Sequence, residues 1–382
     1  MGQATPIRRA GDSAGPARLI VEHCTRLDQL HSLVPEWERL AAHAAEPNIF
    51  YEPWMMLASL EQFSRRLRLD VVAVHVEESG GRRLVGLFPF ERSGGFGRLG
   101  AVAAQSLRYY YCSLCTPLVA PEYGAEAVAA ALAALRVRYA SVEFKLVAAD
   151  GPVYQWLERA AASEPGFHAG ERTERAFLRR YRSAQAYVAD SFRREAKKKD
   201  LARLERRLAK LGALRMYTAL EDEPLEFWLD EFLALEAKGW KGREGTALAA
   251  VAGGSEFFRR ICREAHDRGR LETCSLRLDG KAIAMICFLR VADGLIFLRT
   301  AYDEDYARHS PGLLLAFKFT CLLHEKTDIA WLDSCSDPGA IMSNRVWKQR
   351  RPLAGFRIVY RPQPVLSALF GAVKARFPGA SG

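Results

Sequence analysis

No part of this 382-residue chain is apolar for long enough to cross a bilayer. The longest uninterrupted run, Ala127 to Leu135, falls well short of the roughly 20 residues that a membrane-spanning helix needs. Met1 to Arg18 carries arginines and small residues but no apolar run that could be the core of a secretory signal, so residues 1–17 read as a flexible leader and the chain as cytoplasmic. Metal-ligand patterns are missing too. Cys112 and Cys115 have a CxxC spacing, but no second CxxC or paired histidines would complete four zinc ligands, and no metal is expected. The eight cysteines are scattered, six of them (Cys24, Cys262, Cys274, Cys287, Cys321, Cys335) in apolar stretches, which is the usage of a reduced compartment. Acidic residues are in short supply. Lys and Arg number 55 against 45 Asp and Glu, a net charge of +10. That balance favours anionic partners (phosphates, nucleic acid or lipid headgroups) without choosing among them.

What is present is a globular balance of 49% hydrophobic and 26% charged residues, over a length that suggests two domains. A short strand at 18–24 leads to a helix carrying Leu30, Leu33, Trp37 and Leu40, then an aromatic cluster around Pro53. Strands at 69–77 and 84–90 flank the turn Ser79-Gly80-Gly81. The glycine-rich residues 93–100 read as a mobile loop, because no strand-to-helix context with a following lysine makes them a phosphate cradle. An alanine-rich helix at 125–139 and a strand at 141–147 follow.

The second half starts near Val188 with a long helix closed by Gly212. Helix 226–238 runs into Gly239-Trp240, and helix 256–268 leads to strands 271–278, 281–291 and 295–302, joined at Asp279-Gly280 and Asp293-Gly294 as a meander. Ser310-Pro311-Gly312 opens the apolar helix 313–323 with unsatisfied N–H groups that suit an anion. Strands at 329–334 and 355–360 end the pattern. The expected fold class is α/β (α+β): two fused domains, 18–187 and 188–362, each a mixed sheet flanked by helices, followed by an amphipathic segment at 363–382.

The meander, the capped helix and the next strand resemble the core of GNAT acyltransferases, in which a helix N-terminus holds the pyrophosphate of acyl-coenzyme A. The motifs Asn48-Ile-Phe-Tyr-Glu-Pro-Trp54, Leu84-Val-Gly-Leu-Phe-Pro-Phe90, Gly239-Trp-Lys-Gly-Arg-Glu-Gly-Thr-Ala-Leu248, Thr300-Ala-Tyr-Asp-Glu-Asp-Tyr306, Leu332-Asp-Ser-Cys335 and Asn344-Arg-Val-Trp347 are similar to those of a narrower group. It is the bacterial cellulose-biosynthesis-protein branch, related to the Fem-type peptidoglycan transferases and built of two GNAT-like domains. The resemblance implies acyl-coenzyme A as cosubstrate, held by Arg308, His309, Ser310, Pro311 and Gly312, and an amine acceptor beside Trp240, Lys241, Asn344 and Trp347. The coenzyme A loop departs from the family pattern: after Arg308 it has one glycine, Gly312, where two are usual. Some enzymes resembling this branch acylate long-chain amino-alcohol bases, which implies a ceramide-synthase-like transfer. Fem-type relatives use aminoacyl-tRNA instead, and a noncatalytic accessory of an exopolysaccharide or cellulose machine is the alternative from another class.

For N-acyl transfer, Asp333 could take the amine proton or orient a base, Tyr302 could protonate the departing thiolate or pack at a strand edge, and Cys335 could protonate the thiolate or pack. A covalent acyl-cysteine lacks an activating base in the sequence. His309 could touch a phosphate or sit in solvent. Residues 191–215 carry ten basic against three acidic residues. This is either a grip on phosphates or the solvated face of an amphipathic helix, and without interleaved aromatics nucleic acid is not expected. Val365, Leu366, Leu369, Phe370, Val373 and Phe377 recur at helical spacing beside Arg361, Lys374 and Arg376. Such a segment either packs on the protein or makes peripheral contact with an anionic membrane at its inner face.

Overall fold

A computed structural model describes residues 18–63, 67–78, 80–93, 102–192, 195–218, 224–325 and 328–361. The leader, most of the glycine-rich loop and the amphipathic C-terminal segment lie outside these residues.

The strands in chain order are β1 (Leu19–Cys24), β2 (Leu69–Glu78), β3 (Gly81–Ser93), β4 (Ala103–Ser106), β5 (Leu118–Val119), β6 (Ser141–Ala148) and β7 (Phe167–Arg179), then β8 (Leu214–Thr218), β9 (Leu271–Leu278), β10 (Lys281–Val291), β11 (Gly294–Tyr302), β12 (Trp331–Asp333) and β13 (Gln349–Val359). They form one sheet in the order β1-β2-β3-β4-β6-β13-β7-β12-β11-β10-β9-β8, with β5 beside β3. The sheet is mixed, as expected. β4 pairs with β6, and β11 with β12, in parallel, while β9, β10 and β11 make the antiparallel meander.

Both halves repeat one order of elements: a strand, helices, a run of antiparallel strands, a helix, a parallel strand, a helix and a last strand. The last strands are exchanged. β13, from the end of the chain, lies between β6 and β7 and so completes the first half, while β7 pairs with β12 and completes the second. The division expected at residues 187 and 188 therefore cuts through helix Ala184–Ser191, and the two units share one sheet. The single long helix expected from near Val188 to Gly212 is instead two, Ala184–Ser191 and Glu195–Ala209, the second of which carries much of the basic segment.

Both faces of the second half are covered, so its central strand is apolar at nearly every position. On β10, Met285, Cys287 and Leu289 pack toward Trp228, Phe232 and Phe258, whereas Ala284, Ile286 and Phe288 pack toward Leu208, Leu315 and Phe319. Among the described residues no helix is long and apolar enough to cross a membrane.

Candidate active site

A bulge opens the sheet. β11 pairs with β10 through Cys287 opposite Arg299 and Phe288 opposite Phe297, which leaves Leu298 as an extra residue with no partner. On its other side β11 pairs with β12 only from Gly294 to Ile296. Beyond that point, residues 297–302 have β10 on one flank and a cavity of about 660 Å³ on the other. Gly294 explains why the pairing is tight below the opening: a Cβ there would lie 2.0 Å from the ring of Trp331.

Helix Pro311–Leu323 aims its N-terminus into this cavity. Ser310 turns the chain with a left-handed backbone (φ 48°, ψ 53°) and gives no side-chain cap. Proline at the first position has no N–H to satisfy. The first turn holds no acidic residue, so the positive end of the helix faces the cavity uncompensated by the helix itself. A Cβ on Gly312 would lie 3.7 Å from the ring of Tyr302. The helix mouth and Tyr302 are thus close neighbours, with room at Gly312 for a Cβ in ordinary van der Waals contact. Burial, then Glu304, raises the phenol pKa, and like any ordinary tyrosine the group is protonated at neutral pH.

The opposite wall is a loop folded on Lys241. The short helix Trp240–Arg243 follows Gly239, and a Cβ on Gly242 would lie 1.9 Å from the carbonyl oxygen of Ala237, so that turn closes only with glycine. Backbone N–H groups of Thr246 and Ala247 donate to the Lys241 carbonyl at 2.8 and 2.9 Å. The Lys241 ammonium donates to Glu236 Oε1 at 3.0 Å and to the Thr300 carbonyl at 2.6 Å. Glu236 also accepts from Arg299 Nε at 2.6 Å and from the Leu248 N–H at 2.8 Å. Burial opposes charge on Glu236, but Lys241 and Arg299 outweigh it and hold the carboxyl below its usual range. Burial, then Arg299, lowers the pKa of Lys241.

Six of the residues expected from sequence meet here: Trp240, Lys241, Tyr302, Ser310, Pro311 and Gly312 all line the cavity. Arg308 and His309 do not line it; Arg308 Nε donates to His309 Nε2 at 3.1 Å, and His309 is buried, with burial lowering its pKa. His309 therefore does not sit in solvent.

Asp333 requires a correction. Its side chain is fully buried, accepts from Arg175 at 2.7 Å and Arg351 at 2.9 Å, and stays ionised below the usual carboxylate range despite desolvation. A carboxylate so held is no base for an amine in the cavity. It ties β7, β12 and β13 together where the strands are exchanged. Cys335 N–H donates to Asp333 Oδ1 at 3.0 Å, burial pushes the Cys335 thiol up, and the residue is not among those that line the cavity. Trp347 is also corrected from substrate contact: it is fully buried and donates from Nε1 to Thr320 Oγ1 at 3.0 Å, with its ring edge-on to cavity-lining Phe297 at 5.7 Å. Asn344 donates to the Pro338 carbonyl at 2.6 Å, fixing the turn before helix Ile341–Val346, and its neighbours Ser343 and Arg345 line the cavity instead.

Sequence reasoning missed Glu236 and Arg299. A signal existed for Glu236: it lies four residues after Phe232 and seven after Leu229, on the buried stripe of helix Leu225–Lys238. A charge on an apolar stripe is either paired or functional. Cys112 and Cys115 lie 3.9 Å apart, Sγ to Sγ, and among the described residues no cluster could hold a metal.

Residues 195–338 match the family model of the acetyltransferase (GNAT) domain. Among solved structures, FemX is similar over 88% of this chain and 98% of its own, with 9% identity and a TM-score of 0.55. A conserved protein of unknown function from Bacteroides thetaiotaomicron is similar over 85% and 96%, with 11% identity and a TM-score of 0.52. At such identities these likenesses establish the fold. No curated protein matches the sequence. The cavity lies within the matched domain, apart from its last wall at 340–345. Residues 195–338 therefore carry an acetyltransferase (GNAT) domain, which supports an acyltransferase.

Proposed function

We propose that the protein is an acyl-coenzyme A-dependent N-acyltransferase that works in the β11–β12 opening. The observation that carries this reading is the uncapped mouth of helix Pro311–Leu323 set against Tyr302 in one cavity. Backbone N–H groups at Gly312 and Leu313 would take the donor's pyrophosphate, as a helix N-terminus takes any phosphate. The thioester then lies along the open flank of β11. The amine attacks directly, and Tyr302, which stays protonated at neutral pH, gives its proton to the departing thiolate.

The lining also supports an acyl group larger than acetyl. Leu235, Leu298, Leu313, Ile341 and Met342 are apolar, and Ile341 is 74% exposed at the rim. An exposed apolar side chain beside a cavity gains from contact with a chain that leaves it. A fatty acyl donor and a long-chain amine, such as a sphingoid base, fit that rim. With such substrates, our reading is of an enzyme that works in the cytoplasm at the inner face of the membrane.

The test is to incubate the protein with acyl-coenzyme A thioesters from acetyl to palmitoyl, each with a sphingoid base or a small amine, and to measure amide by mass spectrometry. Amide from long-chain donors is the expected result. Preference for acetyl removes the lipid version. Amide from aminoacyl-tRNA alone gives the donor to the Fem-type alternative, and no amide from any donor leaves the accessory reading.

A further inference from the structure

The cavity contains an ammonium group whose position is fixed more firmly than substrate contact requires. Lys241 is anchored at both ends: two N–H groups close on its carbonyl, and its Nζ is held by Glu236 and the Thr300 carbonyl. An ammonium has three N–H donors. Two are accounted for, and the third remains for the cavity that Lys241 lines. Arg299 is committed elsewhere: Nε goes to Glu236, Nη2 to the Thr246 carbonyl, and its guanidinium lies 5.8 Å from the centre of the Tyr111 ring.

Place matters as much as charge. Lys241 sits on Thr300, and Tyr302 is two residues further along the same strand, about 6.6 Å at strand spacing. Tyr302 in turn faces Gly312 at the helix mouth. Along the open flank of β11 the order is therefore ammonium, phenol, phosphate-binding N–H groups. A thioester whose phosphates occupy the mouth and whose sulfur is near Tyr302 has its carbonyl on the Lys241 side.

We infer that Lys241 is the catalytic residue that stabilises the oxyanion of the tetrahedral intermediate, and that Glu236 is the positioning residue that aims it. The inference rests on the acyl-transfer reading above. In the first step the amine nitrogen forms a bond to the thioester carbonyl carbon, and the carbonyl π pair moves to oxygen, which accepts from the third N–H of Lys241. In the second step that pair returns, the C–S bond breaks, and sulfur leaves with its electrons and takes the Tyr302 proton. The nitrogen loses its proton to water. Fixed donors of this kind act because they need no reorganisation as charge develops.

Lys241→Met is the informative variant. It removes the ammonium and leaves Glu236 paired with Arg299, so no buried carboxylate is stranded. The measurements are thiol release from palmitoyl- and acetyl-coenzyme A, with and without an amine, calorimetry with free coenzyme A, and a thermal melt. Hydrolysis passes through the same oxyanion, so the acceptor need not be known. We expect thiol release to fall about 10²- to 10³-fold, as when one oxyanion donor is removed, with the Kd for free coenzyme A within threefold and the melt retained. Lys241→Arg should recover part of the rate. Glu236→Gln should slow thiol release about tenfold and alter its pH profile, because the ammonium loses its counter-charge.

Thiol release within threefold of wild type in Lys241→Met overturns the inference, and so does an equal loss of rate and of coenzyme A affinity, which makes Lys241 a phosphate contact. If Lys241→Met fails to fold, Lys241→Arg and Glu236→Gln decide, and wild-type rates and pH profiles in both overturn it. A wild type that neither binds coenzyme A nor releases thiol overturns the acyl-coenzyme A reading itself, a result distinct from binding with unchanged rates.

Discussion

The two halves share an order of elements and differ at one helix mouth. In the first half, helix Gly124–Arg138 stands where Pro311–Leu323 stands in the second, each between an antiparallel run and a parallel strand. A Cβ on Gly124 would lie 2.4 Å from the ring of Trp156, so an indole fills that mouth, and Glu126 in the first turn offsets the helix dipole. At Gly312 the nearest ring is Tyr302 at 3.7 Å, and no acidic residue sits in the first turn. Fold alone therefore does not make a donor site. One mouth is filled by an indole, and the other lines a cavity together with a phenol and an ammonium.

The exchanged strands show what joins the halves, and Asp333 is the place to break that junction. Asp333→Asn removes the charge that Arg175 and Arg351 share and strands the buried Arg175 guanidinium, while the partly buried Arg351 keeps Asp150 at 3.7 Å. We expect a loss of about 3 to 5 kcal/mol in urea unfolding, the cost of breaking a buried pair. The pH dependence has a definite sign. The folded carboxyl has a lowered pKa, so its contribution is present above the unfolded value near 3.8 and is lost as pH falls through the folded one. The gap between wild type and variant should be full at pH 7 and should narrow in acid; a gap independent of pH would mean that the carboxylate charge is not what holds the junction.

Next in size is Tyr302→Phe, which keeps the ring against Gly312 and removes the proton donor. Loss of one general acid slows turnover by about a hundredfold, and we expect that change in kcat with the Kd for coenzyme A within threefold. Unchanged kcat would return Tyr302 to edge packing.

Trp156→Ala sharpens the contrast between the mouths. The side chain is partly buried, so its truncation should cost about 2 kcal/mol, below the range for a fully buried tryptophan. With Glu126 still in the first turn, the opened mouth should gain no donor, and calorimetry should still count one coenzyme A per chain. The smallest effect should come from Cys335→Ala. Its thiol is held protonated by burial and lies outside the cavity lining, so kcat should change less than twofold.

Local signals in the sequence located the elements well, and their long-range partners less so. Asp279-Gly280 forms its turn with both residues at positive φ, 49° and 83°, as an Asp-Gly hairpin turn requires. The second turn lies one residue earlier than the dipeptide suggests, at Ala292-Asp293, with Val291 paired to Gly294. Serine before proline marked the helix start, yet Ser310 acts through a left-handed backbone, not through its hydroxyl. The exchange of β7 and β13 had no local signal, because strand propensity does not record which partner lies alongside. For the same reason Asp333 looked like a base at a strand end: the arginines that claim it are 158 and 18 residues away. The bulge at Leu298, which creates the opening, follows from register and not from residue type.

The most direct measurement is a calorimetric titration of wild type and Gly312→Trp with free coenzyme A. The substitution gives the second helix mouth the kind of side chain that fills the first. Wild type should bind one equivalent, and the variant should melt as a folded protein and lose at least tenfold in affinity, about 1.4 kcal/mol. Wild type that does not bind, or a variant that binds equally well, would contradict the assignment of the open mouth as the donor site.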